Sequence, residues 1–191
     1  MYSWGYIKEN VLSKLNLTEE QANQLGFLSR FPYYANEAMT QICSAVKPKN
    51  TYYEIEVDDT NVNRLIQMPD EFIAFDDDVV EYKVEDEFVE AHDDIFEYSG
   101  YNNVICKLKG IYRVPYKARW FFFTKDLHNA TDITAPADIC DAIPSYIVSQ
   151  CYKVDDEVKA AIYRNEYEMF LARIDNTDFK KQRTFKVGGD W

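Results

Sequence analysis

No apolar run in this chain approaches the about 18 residues that cross a bilayer, so no membrane span is expected. Glycine and proline are scarce, six of each, and no internal repeat is present, which excludes low-complexity, fibrous and repeat classes. Histidine is almost missing. His92 and His128 stand alone, and the four cysteines at 43, 106, 140 and 151 form no C-x-x-C, so no zinc pattern is available. G-x-S-x-G, P-loop and G-x-G-x-x-G motifs are absent as well. Positive charge is short: 21 Lys and Arg face 33 Asp and Glu, for a net charge of −12 and a pI near 4.6. A protein that grips DNA by neutralising phosphates needs the opposite sign. The opening Met1-Tyr2-Ser3-Trp4-Gly5 lacks the basic and apolar regions of a signal peptide, so no leader is expected.

Apolar and aromatic residues are plentiful. They make up 47% and 16% of 191 residues, with 15 Tyr and 12 Phe, enough for a packed core and too many for a disordered chain. Their spacing changes twice along the chain. Over roughly 5–46 the period is helical. Ile7, Val11, Leu12 and Leu15 form a first stripe that Asn16 ends. Thr18 and Gln21 have the capping-box form and start a second helix, expected to carry Ala22, Leu25 and Leu28 inward. Pro32 fits the first turn of a third, burying Ala35, Ala38, Met39, Ile42 and Val46, with Asn36 outside. From 51 the period falls to two, and Tyr53, Ile55 and Val57 share a face. Turn signals at 58–61, 69–72 and 76–78 and around Gly100 and Gly110 predict six to eight short antiparallel strands in a small sandwich. Beyond 134 helices return. Asp141 is expected to cap one with Pro144 in its first turn, and Asp155 or Asp156 the last, whose stripe is Ala160, Tyr163, Tyr167, Phe170, Leu171 and Ile174. The expected fold is α+β: a bundle of N- and C-terminal helices (1–49 and 138–175), a central antiparallel β-sandwich-like insertion (50–137) and an extended C-terminal arm (176–191).

Candidate chemistry is thin. Asp76-Asp77-Asp78 and His92-Asp93-Asp94 lack the spaced ligands and glycine of a calcium loop and the helical spacing of a zinc site. No catalytic residue, metal site or cofactor is expected. A Cys/His pair meeting in space is left open, weakly, by two histidines. Cys43 and Cys151 fall in helical stripes, where a free thiol acts as a small hydrophobe. The tail differs from the rest. A polar stretch at 175–178 leads into Phe179, Lys180, Lys181 and Arg183, then Phe185, Lys186, Gly188, Gly189 and Trp191. Two readings stand: a frayed terminus, or an arm that docks on another chain with Phe179, Lys181, Arg183, Phe185 and Trp191 as contacts and Gly188-Gly189 as hinge.

The order of motifs resembles the head-to-tail connector (adaptor, neck ring) proteins of tailed bacteriophages. The matching pieces are Arg30-Phe31-Pro32-Tyr33-Tyr34-Ala35-Asn36-Glu37-Ala38, the Leu65 to Met68-Pro69-Asp70-Glu71-Phe72 turn and strand, Ile143-Pro144-Ser145-Tyr146-Ile147-Val148, and the helix from Tyr163 to Ile174 with its Gly-Gly-Asp-Trp end. The likeness spans nearly the whole chain as a pattern, and none of its motifs is diagnostic alone. It implies a structural virion protein, made in the host cytoplasm and placed in the neck. Many copies, typically twelve, would form a ring. Partners would be its own copies, the portal protein and a tail or further neck protein, with genomic DNA passing through the lumen without sequence-specific binding. It implies no catalytic residues and no membrane. The acidic balance suits a wall that DNA passes without sticking, and it equally suits plain solubility. The competing reading is an acidic soluble enzyme or ligand-binding domain with an unrecognised site.

Overall fold

The computed structural model describes residues 2–182, with side chains as far as residue 174. The fold is α+β, with helices on both sides of a sheet region in the sequence. It divides into two compact units, Met1–Lys47 with Phe121–Trp191, and Pro48–Trp120.

The first unit is helical. Helix α1 (Trp4–Leu15) is capped by the Ser3 hydroxyl and ends at Asn16, which adopts the left-handed conformation at φ 56°. Thr18 and Gln21 form the reciprocal capping box of α2 (Glu19–Gln24). Leu25 is 55% exposed rather than inward, because α2 stops at Gln24 and Gly26 turns the chain at φ 70°. Helix α3 (Phe31–Ala45) holds Pro32 in its first turn and buries Ala35, Ala38, Met39 and Ile42. Helix α4 (Ala137–Tyr152) is the central one: eleven of its sixteen residues are buried, and it packs on α1, α3 and α5. A helix apolar all round belongs inside. Its start corrects the expected cap at Asp141. The helix begins five residues earlier, after Pro136, because Ile139 and Cys140 add a further buried turn. Pro144 is therefore interior, where its ring removes one backbone hydrogen bond, and Asp141 instead accepts from the Tyr2 hydroxyl at 2.6 Å. Helix α5 (Glu157–Gln182) is capped by Asp156, whose carboxylate accepts from the Lys159 amide at 3.0 Å. The polar stretch 175–178 continues this helix rather than ending it, since no glycine or proline interrupts the chain before Gly188.

The second unit is a two-sheet β-structure. Strands β1 (Lys49–Val57) and β8 (Gly110–Ala118) pair antiparallel over nine residues. The other edge of β8 is shared: β3 (Phe72–Phe75) takes the Ala118 end and β4 (Glu81–Val84) takes Arg113 and Tyr112. The bend at 76–78 carries the chain between them. Strand β5 (Glu87–Glu90) completes this sheet beside β4, while β2 (Leu65–Gln67), β7 (Asn103–Cys106) and β6 (Phe96–Ser99) form a second, three-stranded sheet. Ile55, Val57, Tyr112, Val114 and Tyr116 from the first sheet share one core with Phe96, Val104 and Cys106 from the second. Gly110, at φ 143°, lies under the Tyr82 ring, where an added Cβ would come within 2.6 Å of it.

The return to the helical unit falls at Trp120–Phe121, not at 137. Residues 121–137 have little regular structure but are bound to the helices. Phe123 is 2% exposed, its amide donates to Asn36 Oδ1 at 2.8 Å, and its carbonyl accepts from Asn36 Nδ2 at 2.7 Å. Asn36 is thus an inward-facing clamp, not an outer residue. Amides of Trp4 and Gly5 donate to the carbonyls of Thr131 and Asn129, and Ile133 donates back to Tyr2. Gly5 is required there, since a Cβ would sit 2.9 Å from the Asn129 oxygen.

Candidate interaction surfaces

Helix α5 carries two apolar stripes. At 100° per residue, Tyr163, Tyr167, Phe170 and Ile174 lie on one face. Tyr167 and Ile174 are fully buried, the Tyr167 hydroxyl donating to the Ala38 carbonyl at 3.3 Å, while Phe170 and Leu171 are half-buried. On the opposite side Val158, Ile162, Asn165 and Met169 fall within a roughly 60° arc, following the 4-3-4 spacing of a coiled-coil seam. Val158 is 72% exposed, Ile162 58% and Met169 59%, with Val154 beside the start of the helix more exposed still. Ion pairs flank the seam: Arg164 to Glu168 at 2.7 Å, and Lys14 to Glu166 at 2.8 Å. The sequence carried this signal in the spacing of Val158, Ile162 and Met169. The inward stripe, which is longer and aromatic, masked it.

The acidic charge is concentrated. Residues 48–120 hold 17 acidic and 8 basic residues, a net charge of −9 out of −12 for the chain, and 76–97 alone hold 11 acidic residues against one lysine. Asp76 lies within 3.8 Å of Lys117 and Asp59 pairs with Lys109. Asp78 and Glu81 have no hydrogen-bond or ion-pair partner for their side chains among the described residues. Both line a groove of about 410 Å³ with Thr51, Tyr52, Val79 and Arg113. Arg113 stands opposite Glu81 in the β4–β8 register and lines the same groove. It pairs with Glu54 at 3.2 Å, across from it on β1, and lies 3.6 Å from the Phe88 ring centroid and 4.9 Å from that of Tyr52.

A second, wider groove of about 820 Å³ lies in the helical unit between α3, α4 and α5. Its floor is Tyr146, whose hydroxyl donates to Glu37 at 3.2 Å and accepts from Gln41 at 3.0 Å, with Arg164 5.4 Å from the ring centroid. Burial, then Glu37, raises the Tyr146 phenol. The other displaced groups also move away from neutral pH. Burial pushes the thiols of Cys106, Cys140 and Cys151 up to about 12, and hydrogen bonds to Thr60 and Lys159 lower Asp58 and Asp156 respectively. Acid–base catalysis at neutral pH uses shifts of the opposite sense. Among the described residues no group of three His, Cys, Asp or Glu is arranged to hold a metal ion. Asp76-Asp77-Asp78 forms a bend between strands, with the Asp77 amide donating to Asp76 at 2.8 Å.

Of the residues expected in a docking arm, Phe179 and Lys181 fall in the helical backbone of α5. Arg183, Phe185, Gly188, Gly189 and Trp191 lie outside the described residues. No helix among the described residues is long and apolar enough to cross a membrane. No protein-family model matches the chain, and no curated protein matches it.

Proposed function

We propose that this chain is a structural subunit of a phage neck, a head-to-tail connector that joins its own copies into a ring between portal and tail and lines the DNA passage. It acts by assembly, with no reaction catalysed and no cofactor. The observation that carries this reading is the outer face of α5. A helix already packed on α4 leaves Val158, Ile162 and Met169 in water, and covering such side chains contributes on the order of 1 kcal/mol each. An apolar seam at coiled-coil spacing rimmed by charge is what a subunit contact requires. The acidic β-unit agrees with a channel wall that repels phosphate within a Debye length of about 8 Å at physiological salt. The motif order that resembles connector proteins, the virion-neck location, the portal and tail partners and the ring of many copies all belong to this proposal.

The test is solution mass. The wild-type chain should form large assemblies, and Ile162→Glu should return it to single copies with an unchanged melting temperature, because that side chain supports no intramolecular core. An assembly indifferent to Ile162→Glu removes the α5 contact. The wide groove around Tyr146 is the one observation that favours a ligand-binding domain instead, and saturable, stoichiometric binding of a small molecule there by a monomer would support it.

A further inference from the structure

We infer that the open edge of β1 is a pairing surface for a second copy, two β1 strands meeting antiparallel about a two-fold axis at Tyr52. This goes beyond the ring reading, since a two-fold contact sets one patch against itself and a ring joins different patches. Strand β1 ends its sheet, with β8 on one side only. The other edges are short: β2 has three residues, and β3, β5 and β6 have four each. Short edges offer little template for a further strand, and the nine residues of β1 offer a long one. Two bonds show which way its backbone groups point. The Asp76 amide donates to the Pro115 carbonyl at 3.3 Å, so Pro115 faces away from β1, and Tyr52, its register partner, faces away from β8. Alternate residues share that orientation. Glu56 has it, its carbonyl accepting from Asn61 Nδ2 at 2.9 Å. Asn50, Tyr52 and Glu54 therefore turn N–H and C=O outward, and among the described residues nothing binds these groups.

Those three residues select both partner and register. Pairing centred on Tyr52 sets Asn50 against Glu54 of the second copy, and three facing pairs exchange about six hydrogen bonds. The next pair outward is Pro48 with Glu56. Pro48 has no N–H to give, and the Glu56 carbonyl that would receive it already holds Asn61, so nothing is left unmade. Charge agrees with this direction. The strand begins with Lys49 and Asn50 and ends with Glu54 and Glu56, so antiparallel copies bring a basic end beside an acidic one. Strand β5, with Glu87 and Glu90, would instead set acid against acid. Tyr52 is 55% exposed, with Arg113 4.9 Å from its ring centroid, and it meets its counterpart on the same face of the joined sheet. The contact is small, which makes it weak and concentration-dependent.

Disulfide trapping in the full-length chain tests this cleanly, because all four native thiols are buried. In Tyr52→Cys the new thiols face each other across a pair with Cα atoms about 5.5 Å apart, within disulfide reach. In Glu56→Cys, on the same face of β1, they stand roughly 25 Å apart. Under mild oxidation the first should form linked dimers about tenfold faster than the second, or more. Asn50→Cys and Glu54→Cys, each roughly 14 Å from its own counterpart, should link poorly alone and readily when mixed. Adding Ile162→Glu, which removes the α5 contact, should leave this trapping undiminished. Circular dichroism and melting confirm that each variant is folded. The Ile162→Glu chain with no added cysteine gives a second readout: hydrogen exchange at the amides of Asn50, Tyr52 and Glu54 should slow as protein concentration rises. Equal rates for Tyr52→Cys and Glu56→Cys, a mixture no faster than its components, or exchange indifferent to concentration overturns the inference. Trapping that vanishes with Ile162→Glu also overturns it, since the strands would then meet only within the ring contact. Trapping that persists while the chain forms no large assembly upholds it and removes the ring.

Discussion

Tyr112 shows what a single residue contributes and how pH exposes it. Its ring is fully buried between the two sheets, and its hydroxyl donates to the Leu108 carbonyl at 3.0 Å and accepts from the Leu108 amide at 3.3 Å. Burial pushes its phenol from 10.0 up to about 12, and Tyr116 follows for the same reason, aided by Glu71. The sign follows from proton counting. Between these two values the unfolded state has released protons that the folded state retains, so stability falls as pH rises from about 10 to about 12. Alkaline titration followed by far-ultraviolet circular dichroism should show the β-unit unfolding in that window. Tyr112→Phe should shift the midpoint upward while costing some stability at neutral pH, from the lost hydroxyl contacts. An unmoved midpoint would mean that other groups govern the transition. Residue-level cues in the sequence were reliable where the chemistry is local. Asn16 as a helix end and Thr18 with Gln21 as a cap both depend on a few adjacent atoms. Asn36 was missed because its partner, Phe123, lies 87 residues away.

At the scale of elements, periodicity identified both helical blocks and the alternation of β1, since a face buried against one core leaves a regular pattern. It failed where an element is covered on all sides or on two. Helix α4 is apolar all round, so its start could not be placed from a stripe, and α5 bears stripes on opposite faces, of which only the aromatic one stood out. It failed also for 121–136, which has no period because its backbone is held by isolated turns and by bonds to Tyr2, Trp4, Gly5 and Asn36 rather than by a regular ladder. The unit boundary is therefore sharp and testable. Replacing 48–120 by a short flexible linker should leave a helical, cooperatively unfolding protein, because closing a longer or shorter loop changes the cost only logarithmically. Extending the excision to 130 should destabilise it by about 3 kcal/mol or more, through loss of the buried Phe123 side chain and of the bonds that satisfy Asn36 and Gly5. Equal melting temperatures for the two excisions would contradict the boundary, as would loss of all helical signal in the shorter one.

Across the whole molecule, exposed apolar side chains occur in both units: Leu65, Val79, Val84 and Leu108 in the β-unit, and Val158, Ile162 and Met169 on α5. The β-unit carries most of the negative charge, the outer face of α5 carries a run of uncovered aliphatic side chains, and residues 179–186 hold four basic residues and no acidic one. Net charge was readable from composition, but its concentration in one unit needed the boundary at Trp120–Phe121. The α+β class was legible because both periods are present in long blocks. The surfaces proposed to meet other molecules were barely legible, since a sequence read for its core assigns exposed residues to solvent. The ring proposed for this chain would set such surfaces against neighbouring copies. Electron micrographs of the purified full-length chain, spread at high protein concentration and low salt, test this most directly: closed rings of uniform copy number are predicted, and a field of single copies would contradict the account.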